Sequence, residues 1–156
     1  MKDLFLDANI VKNFSNPLDK EYLKLIEWLL KYDGKKPGNN AFLVYSLKLH
    51  HEYNRTCRDA NTKTCIHVIL NKLIMENRLI RFSKEDVENF KRVYYKKIVK
   101  NRLLSNGNDK NHFIPIIMMS NRKFALIIDD NFCNDVNNFK GFSARAEKKP
   151  QYLPYR

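Results

Sequence analysis

The chain reads as an α/β protein with a central, mostly parallel sheet, and three observations predict this. Short apolar runs at residues 4–6, 41–45 and 124–128 have the length of buried strands. They alternate with stretches whose apolar residues recur at helical spacing, the pattern of a parallel sheet with crossover helices. Hydrophobic residues make up 44% of the 156 positions, with only four glycines and five prolines, which excludes disordered, collagenous and low-complexity chains. A chain of this length can bury a core without disulfides. It shows no internal repeat and no linker between two cores.

Each element follows from local residues. The first strand, near 2–6, ends at Asp7. Pro17 and Asp19 open a helix carrying Tyr22, Leu25, Ile26 and Leu29 on one stripe, closed by Asp33–Gly34. Residues 35–40, KKPGNN, make a turn before the second strand, AFLVY at 41–45. Ser46 is placed to cap the next helix, which carries Glu52. The apolar pattern weakens over 56–64 and resumes over 66–76. A third strand is expected at 79–82. Ser83 with Asp86 resembles a capping box, opening a helix through about residue 104 with Val87, Phe90, Tyr94 and Ile98 on its stripe. SNGN at 105–108 breaks that helix, and Asp109 starts another through Met119. The fourth strand, FALII at 124–128, ends at Asp129–Asp130. One domain over 1–140 is therefore expected, with a basic tail over 141–156 that is either a last edge strand near 151–153 or partly disordered.

Charge narrows the function. Lys and Arg number 29 against 17 Asp and Glu, a net of +12, with a pI near 9.6. Such a field attracts polyanions, with nucleic acid the commonest partner and an anionic membrane surface the competing one. No apolar run approaches the roughly 18–20 residues that span a bilayer. The opening MKDLFLDANI carries two acids and no apolar signal core, so a cytoplasmic setting is expected. Cys57, Cys65 and Cys133 are odd in number and lack CxxC spacing, which suits free thiols in a reducing compartment. The nearby His50, His51 and His67 match no zinc spacing.

The few acids are informatively placed. Asp7 and Asp129 stand at the carboxyl ends of strands, and Asp109 opens the helix leading into the fourth strand. Glu52 lies about 9 Å along the helix after the second strand. Carboxyl ends of parallel strands share one edge, where ligand crevices form. Taken singly, Asp7 reads as a strand-end cap, Asp109 as an N-cap, Glu52 as a surface acid and Asp129–Asp130 as a polar turn. Gathered together, four carboxylates would repel one another, and divalent cations resolve that conflict. All-oxygen ligands favour Mg²⁺ or Mn²⁺ over zinc, and one or two such ions can ionise a water and stabilise the leaving oxygen of a phosphodiester.

Four segments carry a family resemblance. LFLDANIV (4–11), LVYSLKLHHEY (43–53), NDKNHFIPIIMM (108–119) and ALIIDDNF (125–132) resemble, in order and spacing, the four acidic motifs of the PIN domain. The first is a strand followed by D-x-N, and the second is a strand, Ser and a helical Glu. The third is an Asp opening an apolar helix with a polar residue, here His112. The fourth is a strand followed by D-x-x-F. The resemblance covers about residues 2–139. It implies a three-layer α/β/α sandwich and a metal-dependent endoribonuclease, with Asp7, Glu52, Asp109 and Asp129 as catalytic ligands of one or two Mg²⁺ or Mn²⁺ ions.

Asp130 is a reserve ligand and Asn131 a reserve partner, because the turn after the strand decides which side chain points inward. Asn9 is placed to orient a carboxylate, and Ser46 to do the same near Glu52 or to cap its helix. Small bacterial members are often toxins of toxin–antitoxin pairs and commonly dimerise. This chain departs from the pattern at Ile127, where the family usually has Ser or Thr, and in the long helix over 83–104. A stand-alone nuclease of RNA processing or antiphage defence fits equally well.

Residues 89–108 contain no acid. Arg92, Lys96 and Lys100 recur every four residues and would stack on one helical face, with Tyr95 beside them to stack on a base. With no acid in reach for ion pairs, the stripe is expected to contact RNA phosphates rather than to be a solvated face. Two other readings remain beside the ribonuclease: a non-catalytic RNA-binding protein of the same fold, and a basic DNA- or membrane-surface-binding protein without an active site.

Overall fold

The computed structural model describes residues 1–15, 17–57, 62–96 and 102–156. Five strands, β1 (Lys2–Leu6), β2 (Ala41–Tyr45), β3 (Leu79–Arg81), β4 (Phe124–Leu126) and β5 (Arg145–Glu147), form one sheet. Their order is β3-β2-β1-β4-β5, and every neighbouring pair is parallel. Among the described residues these helices accompany them: α1 (Ala8–Val11), α2 (Lys20–Leu30), α3 (Leu47–Thr56), α4 (Ile66–Met75), α5 (Lys84–Tyr94), α6 (Ile114–Met119) and α7 (Asp130–Asn137). The architecture is a three-layer α/β/α sandwich. Helix α2 packs on α4 and β2, while α6 packs on α5, α7 and β2. Residues Leu4, Phe5 and Leu6 of the central strand are fully buried, as expected for a strand covered on both faces.

The helix starts obey local rules. Asp19 caps α2 by accepting from the Glu21 N–H, and Ser46 caps α3 by accepting from the Leu49 N–H. Ser83 and Asp86 form the full reciprocal capping box of α5. Asn77 leaves α4 with φ of 54°, a left-handed turn that Asn tolerates.

Two expectations fail for reasons of packing. Helix α5 ends at Tyr94 instead of continuing toward residue 104, and Ile98, expected on its stripe, lies outside the described residues. Tyr95 leaves the helical conformation, packs its half-buried ring on Phe90 and Phe139, and donates its hydroxyl to the Lys110 carbonyl. Tyr94, expected in the buried stripe, is 46% exposed. The edge strand is 145–147, not 151–153. Pro150 opens a 3₁₀ turn there, after which Leu153 and Tyr155 enter the core. Tyr155 meets Trp28 at 4.9 Å between ring centres, and Arg122 donates to the Tyr155 and Pro154 carbonyls. The tail is thus ordered and belongs to the same core. Asn137 pairs with both backbone groups of Ala146, holding β5 to α7.

Arg78 is 1% exposed. Its guanidinium donates to the Leu29, Lys31 and Ala41 carbonyls and to Glu76. It ties the end of α2 to the start of β2, and nothing in the local pattern marked it as interior.

Candidate active site

The strand order places β1 beside β4 at the centre of the sheet. From there the chain proceeds outward in opposite directions, toward β2 and β3 on one side and β5 on the other. Such a reversal opens a crevice at the carboxyl ends of the two central strands. Asp7 follows β1 directly, and its N–H donates to the Leu126 carbonyl of β4 at 3.0 Å. Asp129 lies three residues past β4. Each acid caps a helix: Asp7 accepts from the Asn9 N–H at 3.3 Å, and Asp129 accepts from the Phe132 N–H at 2.7 Å.

Two further acids reach the crevice from other elements. Glu52 sits on α3, held against the sheet by its neighbour Tyr53, whose buried hydroxyl donates to the Leu6 carbonyl at 2.7 Å. Asp109 opens a π-helical turn, Asp109–Phe113, that runs into α6. Asn106, rather than Asp109, anchors that start: its side-chain oxygen accepts from the Asn108 and Asp109 N–H groups. The Asp109 carboxylate is therefore free to face inward. Asp7, Glu52, Asp109 and Asp129 line one cleft of about 200 Å³, with Asn9, Arg55, Asn106 and Asn108 on its walls.

The electrostatics record crowding. Burial raises the pKa of Asp7, and the nearby Asp129 raises it further, while hydrogen bonds from Asn9 and Ala8 act in the opposite direction. Asp109 is pushed up to about 7, first by burial and then by Asp7, Asp129, Glu52 and Asp135. Glu52 forms an ion pair with Arg55.

Other predicted residues lie elsewhere or act differently. Asp130 is exposed and ion-paired to Lys148, pointing away because Asp129 takes the capping position. Asn131 is exposed and does not line the cleft. Ser46 serves α3 as its N-cap, six residues before Glu52, and its Oγ meets His112 Nε2 at 2.8 Å. Burial first, then Lys48 and Lys91, lowers the His112 pKa to about 4, so the ring is neutral at pH 7.

The basic stripe is not one helical face. Arg92 is on α5, Lys96 lies beyond its end, and Lys100 falls outside the described residues. Tyr95 is committed to the core rather than offered to a base. Local partners also exist: Lys91 pairs with Glu88 at 2.6 Å, and Arg92 donates to Asn89 at 2.6 Å. The three cysteines are buried.

Sequence reasoning passed over Asp135. It is 5% exposed, and its carboxylate accepts from the Leu104 N–H at 2.8 and 2.9 Å and from the Ser105 N–H at 2.6 Å. It thereby pins the segment leading to Asn106 and Asp109. An acid between Phe132, Cys133 and Val136, on the buried stripe of α7, was the available sign.

Among the described residues, no group of three or more His, Cys, Asp or Glu side chains stands close enough to hold a metal ion. The donor chemistry nevertheless suits a hard cation. Mg²⁺ commonly takes one or two carboxylates and completes its shell with water and substrate phosphates. The elevated Asp109 pKa reflects burial first and then repulsion from the other carboxylates, a penalty on the charged form that such an ion would relieve. No helix among the described residues is long and apolar enough to cross a membrane. No family model matches this chain, and no curated protein or solved structure matches it significantly.

Proposed function

We propose that this chain is a Mg²⁺- or Mn²⁺-dependent ribonuclease with a PIN-like site. The observation that carries the reading is the cleft itself: four carboxylates from four separate segments line it, at the central strand reversal of a chain with a net charge of +12. An acidic pocket in a basic protein has no use for RNA until cations invert its field, after which the basic surroundings and the pocket attract the same phosphates.

A bound Mg²⁺ or Mn²⁺ would ionise a water and neutralise charge on the scissile phosphodiester. The chain's own residues supply the frame. Asp7, Asp109 and Asp129 would supply the negative charge around the cation's site, one or two of them as direct ligands, and the cap bonds to Asp7 and Asp129 fix those two carboxylates. Asn9 orients Asp7, and Tyr53 holds the helix that presents Glu52. Arg55, on the cleft wall, is placed to meet a phosphate on the approaching strand. The resemblance implies products with 5′-phosphate and 3′-hydroxyl ends.

The test is incubation of the chain with mixed RNA and single-stranded DNA under Mg²⁺, Mn²⁺ or EDTA, alongside Asp7→Asn and Asp109→Asn. Metal-dependent RNA cleavage that both substitutions abolish is expected. Asn preserves the capping role of Asp7, so the fold should survive. Cleavage unchanged in both variants, in preparations free of contaminating nuclease, would reject the site. The wide spacing of the carboxylates favours one second reading, an RNA-binding protein of the same architecture without catalysis, and binding without cleavage in either metal would select it. The toxin role, with its protein antitoxin and a homodimer in the cytoplasm, is a narrower form of the first reading. Growth arrest on expression, relieved by the product of an adjoining reading frame, tests it.

A further inference from the structure

A second cavity, of about 560 Å³, adjoins the acidic cleft and shares two elements with it. Leu47, Lys48 and His51 of α3 line one side, and Asn111 and His112 of the π-helical turn line another. Lys48 precedes Glu52 by one helical turn, about 6 Å along the axis, and Asn111 follows Asp109 by two residues. The volume falls within the roughly 300–1,000 Å³ of small-molecule sites.

Its chemistry is specific in kind. Leu47 is 66% exposed beside the half-buried ring of Phe82, making an apolar wall open to solvent. Lys48, Lys84 and Lys91 border it, and among the described residues only Lys91 of these is ion-paired, to Glu88. The Asn111 side chain, half-buried, has no hydrogen-bond partner among the described residues and offers both donors and an acceptor. A nucleotide unit of single-stranded RNA complements all three features. Its base has a flat π-face for the apolar wall, its edge carries donors and acceptors for the amide, and its phosphates answer the lysines.

We infer that this cavity seats one base of a single-stranded RNA beside the cleavage cleft, with Phe82 and Leu47 against the base, Asn111 at its edge and Lys48 and Lys84 on the flanking phosphates. The inference deepens the ribonuclease reading and rests on it for the choice of strand. It also moves the substrate contact from the Arg92–Lys100 stripe to the lysines around α3 and the start of α5.

The experiment uses the full chain carrying Asp7→Asn, in EDTA, so that binding is read without cleavage. The probes are short oligo-A, oligo-C, oligo-G and oligo-U RNAs titrated over a range of salt. Lys48→Glu with Lys84→Glu should weaken all four and flatten the log K against log salt slope by about 1.4, two phosphate contacts at about 0.7 each. Asn111→Ala should narrow the spread among the four bases, and Phe82→Leu should weaken binding about tenfold. Because Phe82 also borders the sheet, photocrosslinking of 5-iodouridine RNA to the unsubstituted pocket gives a readout free of folding effects, with adducts expected on peptides containing Phe82 or His51.

Parental affinity and salt slope in the lysine pair, with crosslinks mapping elsewhere, would overturn the pocket. If the parent chain still cleaves RNA in that case, the ribonuclease reading stands without it. Crosslinks at Phe82 in a chain that cleaves nothing with either metal would keep the pocket and remove the nuclease.

Discussion

Replacing Asp109 by Asn should stabilise the metal-free protein, and should do so increasingly as pH rises. Burial and then the neighbouring carboxylates push the carboxyl up to about 7 in the folded chain, from an ordinary value of 3.8. Between those values the folded state holds a proton that the unfolded state has released. Stability is therefore lost as pH climbs through this window, with the full cost reached above pH 7. Taken whole, the rise corresponds to about 4 kcal/mol, an upper bound for a group that solvent partly reaches. Screening reduces this to about 1–2 kcal/mol. For a chain of this size each kcal/mol moves Tm by about 2–4 °C, so Asp109→Asn should melt about 4 °C higher than the parent at pH 8 in EDTA. The gap should shrink as pH falls toward 4.

Adding Mg²⁺ or Mn²⁺ should invert the comparison. The parent gains stability by mass action, about 2.7 kcal/mol at a hundredfold excess over Kd, and the variant gains less. Circular-dichroism melts at pH 5 and pH 8, with metal or EDTA, read all four corners. An Asn variant that melts below the parent at pH 8 in EDTA would refute the crowding argument. Equal metal-induced gains in both proteins would refute the role of Asp109 as a ligand.

Two further substitutions probe the frame. Asp135→Ala strands the Leu104 and Ser105 N–H groups and should cost about 3 kcal/mol in urea denaturation, hydrogen bonds to charged groups contributing about 1.5–3 kcal/mol each. Amide exchange at 104 and 105 should accelerate at the same time, and protection equal to the parent's would show that the loop is held by something else. Arg78→Ala leaves three carbonyls and the Glu76 carboxylate without their partner and should destabilise by about 3–5 kcal/mol, while RNA cleavage per folded molecule stays at the parent's level. A loss below 1 kcal/mol would mean that water replaces the guanidinium.

What could be read directly from the residues was whatever depends on neighbours a few positions away. The apolar runs at 4–6 and 41–45 and the caps at Asp19, Ser46 and Ser83 are of this kind, because strand burial on both faces and N-cap bonds are decided within one short segment. The position of Asp7 at a strand end follows equally, as does the α/β class. Folding had to decide the rest. Tyr95 could continue α5 or enter the core, and the ring surface offered by Phe90 and Phe139 drew it inward, ending the helix early. Asp129 and Asp130 are chemically equal, and the Phe132 N–H that one of them must cap turned the other toward Lys148. The edge strand fell at 145–147 because Leu153 and Tyr155 found burial beyond it. The meeting of residues 7, 52, 109 and 129 in one cleft depends on strand order, since only the central pairing of β1 with β4 brings their carboxyl ends together. Strand order is set by which faces can be buried against one another across the whole chain, and no local window contains that information.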